Sequence, residues 1–359
     1  MPDAITAESV KAKAAALGFD LCGIAPCESF PELGFLREWL ARGYAANMTW
    51  LNRTVRVRSD ALHIMPAAKS VVVTGTLYNT DRPYSSALPQ GVAQLSRYAW
   101  GEDYHTVIGA RLDALTAWMH AESPTPIETR PYVDTGPVQE RVYAQYAGLG
   151  WIGKNTCLIN PESGSWLFLS VVITTLPLQS DPQGLEQCGS CTRCIDACPT
   201  AALVQPGVLD ANRCISYLTI EHKSAIPEPL RAGMGAHVYG CDVCQEVCPY
   251  NQPSAATSDP AWRPRPELDG PTLADLWRRS DDDLREALVG SAMTRAPLSN
   301  IRRNVAIAIG NVGDADALVA LAEAGPDRPS ADDPVVREHV RWALGNRAAM
   351  PPISSAPPL

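Results

Sequence analysis

At about 150 residues per domain, a chain of 359 residues divides into two or three domains, each long enough to bury a core. Apolar residues make up 46 % and charged residues 19 %, with a mean hydropathy of −0.10, which excludes disorder as the main state; the longest largely apolar stretch, 166–178, is broken by Ser170, Thr174 and Thr175 and falls short of the roughly 18 residues that cross a bilayer. A net charge of −9 argues against indiscriminate binding to nucleic acid and leaves room for local basic patches.

The chain opens with no apolar run behind a basic head and no twin arginine, so no export signal is read and the expected compartment is the cytoplasm. In a reducing compartment, eleven cysteines point to metal or redox chemistry in preference to disulfides. Apolar residues at helical spacing over 9–17, 30–42, 104–120 and 138–149 alternate with β-rich runs at 70–77, 131–133 and 166–175. The pattern predicts a multidomain α+β protein that opens on an α/β domain, 1–180. Its sheet is expected to be mostly antiparallel or mixed, because several connections are too short for regular crossovers. Residues 181–260 lose that periodicity and carry eight of the eleven cysteines, as expected of a small domain stapled by its ligands. A linker-like run after Pro253 leads into a helical domain, 261–359. There residues 301–311 align with 336–346 at a constant offset of 35. Such repeats resemble HEAT units, and two copies are too few for an independent solenoid, so they are expected to pack on the rest of the protein.

The cysteine segment carries the most specific signal. Cys188-x2-Cys191-x2-Cys194-x3-Cys198-Pro199 has the bacterial ferredoxin spacing, in which three close thiolates wrap one cubane and the fourth reaches a second. Cys214 and then Cys241-x2-Cys244-x3-Cys248-Pro249 supply the remaining ligands. The crossed rule assigns Cys188, Cys191, Cys194 and Cys248 to one [4Fe-4S] cluster, and Cys198, Cys214, Cys241 and Cys244 to the other. Tetrahedral zinc is the plain alternative for paired CxxC motifs, but it does not account for two x3-Cys-Pro endings. The long gap between Cys214 and Cys241 is an insertion expected to fold out against a neighbouring domain. Cys22, Cys27 and Cys157 lie outside the set and are read as small core residues.

The first domain has neither a Gly-x-Gly-x-x-Gly after a strand nor a P-loop. Asp103-Tyr-His105-Thr-Val-Ile-Gly109 comes close to the Asp-x-His-x-x-Gly of histidine-on cobalamin proteins, with the glycine one position late; an amphipathic helix capped by Asp103 is the better reading. In Tyr132-Val-Asp134-Thr-Gly-Pro an acid ends a β-run beside a turn, where a carboxylate can stand at a pocket mouth or simply cap the turn. Gly150-Trp-Ile-Gly-Lys154-Asn155 is either a ligand loop or a tight turn.

Taken together, Ala99-Trp-Gly-Glu-Asp-Tyr-His105, Val133-Asp-Thr-Gly136, Gly153-Lys-Asn155, the ferredoxin cysteines, Arg213-Cys-Ile-Ser-Tyr-Leu-Thr219, Gly240-Cys-Asp-Val-Cys-Gln245 and Ile301-Arg-Arg-Asn304 resemble the epoxyqueuosine reductase family over nearly the whole chain. The resemblance implies base-off cob(II)alamin beside two [4Fe-4S] clusters, and reduction of epoxyqueuosine to queuosine at the wobble position of tRNA with loss of the epoxide oxygen as water. It places the proton donor at Asp134, whose carboxyl is expected to have a pKa raised by burial. It places cobalamin contacts at Arg58, Ser96, Asp134, Leu158, Ser216 and Asp242; Ser96 stands where relatives can carry cysteine.

For tRNA, the stretch 287–313 has Arg295, Arg302 and Arg303 with no acid, and 37–58 has five arginines against Glu38. These, with Arg141, Asn160, Lys154 and Lys223, are the candidate RNA contacts, and the helical tail is the candidate platform. The target base must leave the anticodon stack to react. The rival readings are a reductive dehalogenase-like enzyme acting on a small molecule, which usually carries a twin-arginine leader and no HEAT-like tail, and a ferredoxin-type electron-transfer module. An external low-potential donor such as flavodoxin or ferredoxin is expected, with a monomer as the default state.

Overall fold

The computed structural model describes residues 5–252, 255–323, 325 and 327–349. Its first layer is a four-stranded sheet in the order Leu21–Pro26, Ser70–Leu77, Leu167–Thr174, Thr129–Val133, and every neighbouring pair is antiparallel. The Ser70–Leu77 strand is buried along its whole length. Its valines take opposite faces by the period of two: Val72 packs with Val10, Ile108, Leu112 and Met119, while Val71 and Val73 pack with Leu33, Val142 and Tyr143. Each of these fully buried valines contributes roughly 1.5–3 kcal/mol. Helices Ala7–Ala16 and Tyr104–Glu122 cover one face; Pro31–Ala41 and Glu140–Tyr146 cover the other.

The expected helix over 138–149 is shorter, Glu140–Tyr146, because Gly148 (φ 76°) and Gly150 (φ 155°) turn the chain out of helical conformation. The Leu21–Pro26 strand was not predicted. Leu-Cys-Gly-Ile-Ala-Pro is poor in β-branched residues, and Gly23 is required where a Cβ would lie 2.0 Å from the Ala147 carbonyl oxygen. The Thr49–Arg58 helix was also missed. As expected, Asp103 caps the Tyr104–Glu122 helix by accepting from the His105 N–H.

Between Cys214 and Cys241 the insertion folds as the helices Ile215–Ile220 and Glu228–Arg231 and the strand His237–Tyr239, which pairs in parallel with Gln94–Leu95. Ile215, Leu218, Ile226 and Met234 pack on Ile307 of the tail. The central tail helix, Leu298–Val312, is buried without interruption from Asn300 to Gly310. It and Pro334–Ala349 carry the two sequence copies and lie against each other. A Cβ at Gly310 would stand 2.7 Å from that of Ala343, which is why small residues recur at this crossing. The apolar cores cross the limits read from the sequence: Ala93, Leu95 and Ala99 belong with Leu273, Trp277, Val305 and Ile309, and Trp262 belongs with the sheet. Among the described residues no helix is long and apolar enough to cross a membrane.

Candidate functional site

Cys188, Cys191, Cys194 and Cys248 line one cavity of about 260 Å³, together with Lys154, Asn155, Ile159 and Tyr250. Lys154 closes its rim by donating to the carbonyl oxygens of Gly189 (2.5 Å) and Cys191 (2.9 Å), and the Trp151 indole N–H points at Cys188 Sγ (3.4 Å). Lys154 therefore braces the cysteine loop. Cys198, Cys214, Cys241 and Cys244 form a second group close enough to feel one another's charge. Cys214 Sγ faces the backbone N–H groups of Ser216 and Tyr217 and the Ser216 hydroxyl. Two groups of four thiols, each near N–H donors and one around a cavity, fit cubane clusters. Among the described residues no three His, Cys, Asp or Glu side chains converge as around a single metal ion. Cys27 is buried; Cys22 and Cys157 are partly exposed, and Cys157 hydrogen-bonds Cys244.

Asp134 follows the Thr129–Val133 edge strand in the left-handed conformation, φ 57°, which short polar side chains tolerate better than others. Its side chain is 56 % exposed, open to a ligand. Asp134 Oδ2 accepts from the Tyr104 hydroxyl (2.9 Å) and lies 3.1 Å from His105 Nε2; His105 Nδ1 in turn lies 2.7 Å from Asp103 Oδ1. Arg295 adds positive charge from the tail. Burial pushes the Asp134 carboxyl up, but the hydrogen bonds from His105 and Tyr104 outweigh it and hold the pKa below its ordinary value. The expected raised pKa belongs to the carboxyl buried against corrin and substrate; in the state seen here, with Tyr104 and His105 as its partners, the carboxylate is held ionised.

Of the other predicted contacts, Arg58 comes within reach of the Asp134 charge, and Ser96, Asp242 and Ser216 lie by the second cysteine group. Arg58, at the end of its helix, donates to the Val138 carbonyl oxygen (3.0 Å) and Thr54 Oγ1 (3.1 Å), and its charge reaches Asp134 and Glu140. On the cluster side, the buried Asp242 accepts from the Arg97 N–H (2.8 Å) and the Ser96 hydroxyl, and burial pushes its carboxyl up to about 6. Ser96 is itself buried. Gly240 must be glycine, since at φ 71° its Cβ would stand 2.1 Å from Ser96 Oγ. Tyr104, Tyr98 and Tyr239 run in ring contact from Asp134 to the residue preceding Gly240-Cys241. Leu158 is buried in the two-stranded Trp151–Ile152/Leu158–Ile159 pair, and Ser216 stands beside Cys214. The apolar Leu158, the polar Ser96 and Asp242, and a buried Glu140 Oε1 without a hydrogen-bond partner fit a flat macrocycle fringed with amides.

Three RNA candidates are corrected. Arg302 and Arg303 are 0 % exposed. Arg302 donates to the carbonyl oxygens of Leu276, Trp277 and Arg279 (3.0, 2.6 and 2.5 Å) and pairs with Asp281 at 3.1 Å. Arg303 donates to those of Leu218, His222 and Ser224 (2.7, 2.7 and 2.8 Å). They satisfy the carbonyls that short helices and turns leave open, so neither meets phosphate. Asn160 is buried and holds its own turn, donating to the Leu149 carbonyl oxygen (2.8 Å) and accepting from the N–H groups of Glu162 and Ser163. Arg141, Lys223 and Arg295 are exposed. Tyr104, His105 and Glu140 were missed as site residues; Tyr104 and His105 end the separate Ala99–His105 motif, 30 and 29 positions from Asp134, and only Glu140 lies near Asp134 in sequence.

A family model described as a 4Fe-4S double cluster binding domain matches residues 187–251, and one described as Epoxyqueuosine reductase QueG, DUF1730 matches 58–135. The chain is 41 % identical over 342 residues to the epoxyqueuosine reductase of Xanthomonas campestris, covering 94 % of this chain and 95 % of that one. It is 42 % identical over 316 residues to that of Gloeobacter violaceus, covering 86 % and 97 %. Among solved structures, it is similar to a crystal structure of epoxyqueuosine reductase with an epoxyqueuosine-modified tRNA-Tyr stem loop, with a TM-score of 0.83, 33 % identity, and 94 % and 89 % of the two chains covered.

Proposed function

This chain belongs to the epoxyqueuosine reductase family, and from that premise we propose that its reduction of epoxyqueuosine in tRNA to queuosine uses Asp134 as proton donor, two [4Fe-4S] clusters as the electron path, and cobalamin held between them. The chain is an oxidoreductase with a double-cluster domain. The observation that carries the proposal is the Asp134 carboxylate: open on one side, hydrogen-bonded on the other, and joined by one wall of tyrosines to Cys241. A reductive dehalogenase or a bare electron-transfer module is not favoured, since the relatives at this identity and coverage are epoxyqueuosine reductases.

Conversion of an epoxide to an alkene and water consumes two electrons and two protons, and the departing oxygen must be protonated. Bound cobalamin would supply the reduced centre that passes electrons to the epoxide carbon. Arg58, Ser96, Leu158, Ser216 and Asp242 are the residues that would hold it. Cys188, Cys191, Cys194 and Cys248 would hold the first cluster, beside the surface cavity, and Cys198, Cys214, Cys241 and Cys244 the second, beside Ser216 and Asp242. A base laid over Asp134 removes water from its open side and raises its pKa enough for it to carry a proton. Once the proton is given up, Tyr104 and His105 receive the carboxylate in the hydrogen bonds already seen. Exposed Arg295, Arg141 and Lys223 are the proposed phosphate contacts.

The tail is proposed to complete the RNA surface through Arg295, with HEAT-like helices as its support. A low-potential carrier of the flavodoxin or ferredoxin class, a monomeric state and the cytoplasm complete the proposal. The test is anaerobic reconstitution with iron, sulfide and cobalamin, followed by incubation with tRNA bearing epoxyqueuosine and a strong reductant, and mass spectrometry of the nucleosides. Loss of one oxygen mass, dependent on cobalamin, is expected. Cobalamin bound with the nucleoside unchanged would overturn the substrate assignment.

A further inference from the structure

Resting on the proposed assignment of Cys188 to the cavity-lining cluster, we propose that Trp151 sets the reduction potential of that cluster: its indole N–H donates to a ligand sulfur and favours the reduced state, so that this cluster takes electrons from the external carrier. Reduction adds one negative charge to a cubane, and part of that charge falls on the thiolate sulfurs. A donor aimed at one of those sulfurs binds the reduced state more strongly than the oxidised one and moves the potential upward. Cys188, Cys191 and Cys194 line the surface cavity, so theirs is the cluster a soluble carrier meets first. A raised potential lets it be loaded by a weaker reductant.

The contact is built by the first domain and not by the cysteine loop. Trp151 is 1 % exposed and stands opposite Ile159 in its two-stranded pair. The chain leading to Cys188 is pressed onto the same hairpin. A Cβ at Gly184 would stand 1.8 Å from the Gly150 carbonyl oxygen, and the Gly184 N–H donates to the Gln145 carbonyl oxygen (2.9 Å). On the other side the Tyr250 and Trp151 rings meet edge to face, with centroids 4.9 Å apart at 78°, and the Tyr250 hydroxyl donates to the Gln187 carbonyl oxygen (3.2 Å). Fixed in this way, the indole N–H has Cys188 Sγ as its acceptor at 3.4 Å; left without one, a buried donor is costly. Backbone donors come with the cysteine loops themselves, as where the Ala202 N–H donates to Cys198 Sγ (3.2 Å) in the other group. The indole is a side-chain donor added to that pattern. Two charges also bear on this loop. The Glu186 carboxylate accepts the Cys188 N–H (2.6 Å) and opposes an added electron, while Lys154, on the carbonyl oxygens of Gly189 and Cys191, favours it. Glu186 is exposed and Lys154 half-buried, so solvent and salt screen both; the indole acts from inside the core, where a hydrogen bond is electrostatically stronger.

The test replaces Trp151 in the full chain by 3-benzothienylalanine, which keeps the shape of the indole with sulfur in place of its N–H and leaves Glu186 and Lys154 untouched; Trp151→Phe is the second variant. In the anaerobic holoprotein, potentiometric titration of the paramagnetic signals should show the ratio of reduced to oxidised cavity-lining cluster falling about tenfold at a fixed potential, a shift of about 59 mV for one electron. The other cluster should stay within about twofold, and Trp151→Phe should shift the same cluster in the same direction. In protein reconstituted in heavy water, electron–nuclear double resonance of the reduced wild-type cluster should show one exchangeable deuteron that the isostere lacks. An unchanged potential in the isostere, an equal shift in both clusters, or the same deuteron in both proteins would overturn the inference. A signal of the cavity-lining cluster that survives Cys188→Ala would overturn the cluster assignment instead.

Discussion

Arg302→Met should unfold the protein more readily and leave the intrinsic affinity for tRNA unchanged. Methionine fills most of the space but offers no donor. Asp281, with a side chain only 9 % exposed, loses its cation; removing one partner of a buried pair costs about 3–5 kcal/mol. Asp281 keeps the Ser330 N–H (2.8 Å) and hydroxyl (2.5 Å), which sets this part near the lower limit, about 3 kcal/mol. The carbonyl oxygens of Leu276 and Arg279 lose their side-chain donor, while that of Trp277 retains Arg328 at 3.1 Å. Two such losses add about 1 kcal/mol each at the low end, for a total near 5 kcal/mol, or about 7 °C in the apparent melting temperature at the unfolding entropy of a chain of this size. The assay is thermal unfolding of the anaerobic holoprotein, with tRNA affinity measured on the folded fraction and Arg295→Ala as the control. A melting point like the wild type combined with weakened RNA binding would refute the assignment of Arg302 as an internal brace.

Arg295→Ala should leave the melting point within a degree or two, weaken tRNA binding at all sequences and reduce the slope of log affinity against log salt by about one. Asp134→Asn retains the left-handed backbone and both hydrogen-bonding neighbours, so tRNA binding should persist while single-turnover reduction falls by about 10²–10⁴; unchanged turnover would remove Asp134 from the chemistry. Cys194→Ser and Cys198→Ser lie four positions apart and should damage different clusters, the first abolishing the paramagnetic signal of the cavity-lining cluster and the second that of its neighbour, as read by electron paramagnetic resonance; loss of the same signal in both would reject the crossed arrangement. His339, 0 % exposed, donates from Nδ1 to the Val335 carbonyl oxygen (2.7 Å) and accepts the Ile226 N–H at Nε2 (3.1 Å), and burial lowers its pKa from 6.5 to about 4. Because the folded state keeps it neutral, it contributes about 3 kcal/mol that is fully present above pH 6.5 and lost as pH falls toward 4; His339→Gln should flatten stability against pH over that interval.

The parts of the site that sequence reveals are those whose chemistry is local. Ligand spacing of two and three residues is imposed by the cubane itself, so the eight cysteines could be grouped before any fold was known. Asp134 could be singled out because a strand end, an acid and a Gly-Pro turn are contiguous. Arg302 and Arg303 were misread because a count of charges along the chain says nothing about depth. The informative signal lay beside them, in a run from Ile301 to Ile309 apolar on every side of the helix, which leaves no solvent face for an arginine. Tyr104 and His105 were correctly placed on a capped helix, yet their meeting with Asp134 depends on the Tyr104–Glu122 helix crossing the edge strand. Glu140 could not be distinguished from an ordinary acid in a first helical turn, because its lack of a partner is a property of the packed site.

The shared core of Ala93, Leu95 and Ala99 with Val305 and Ile309 has a consequence for biogenesis. Ribosomes release the chain from its first residue onward, so the Gln94–Leu95 strand, with Ser96 directly after it, meets Val238 and Tyr239 after about 145 further residues and Val305 and Ile309 only after about 210. The sheet can close early, since its four strands are complete by Thr174, and the thiols follow by Cys248. The packing behind the Gln94–Leu95 strand is finished last. Packing behind Ser96 is therefore completed only when synthesis has passed the central tail helix, well after the eighth thiol at Cys248.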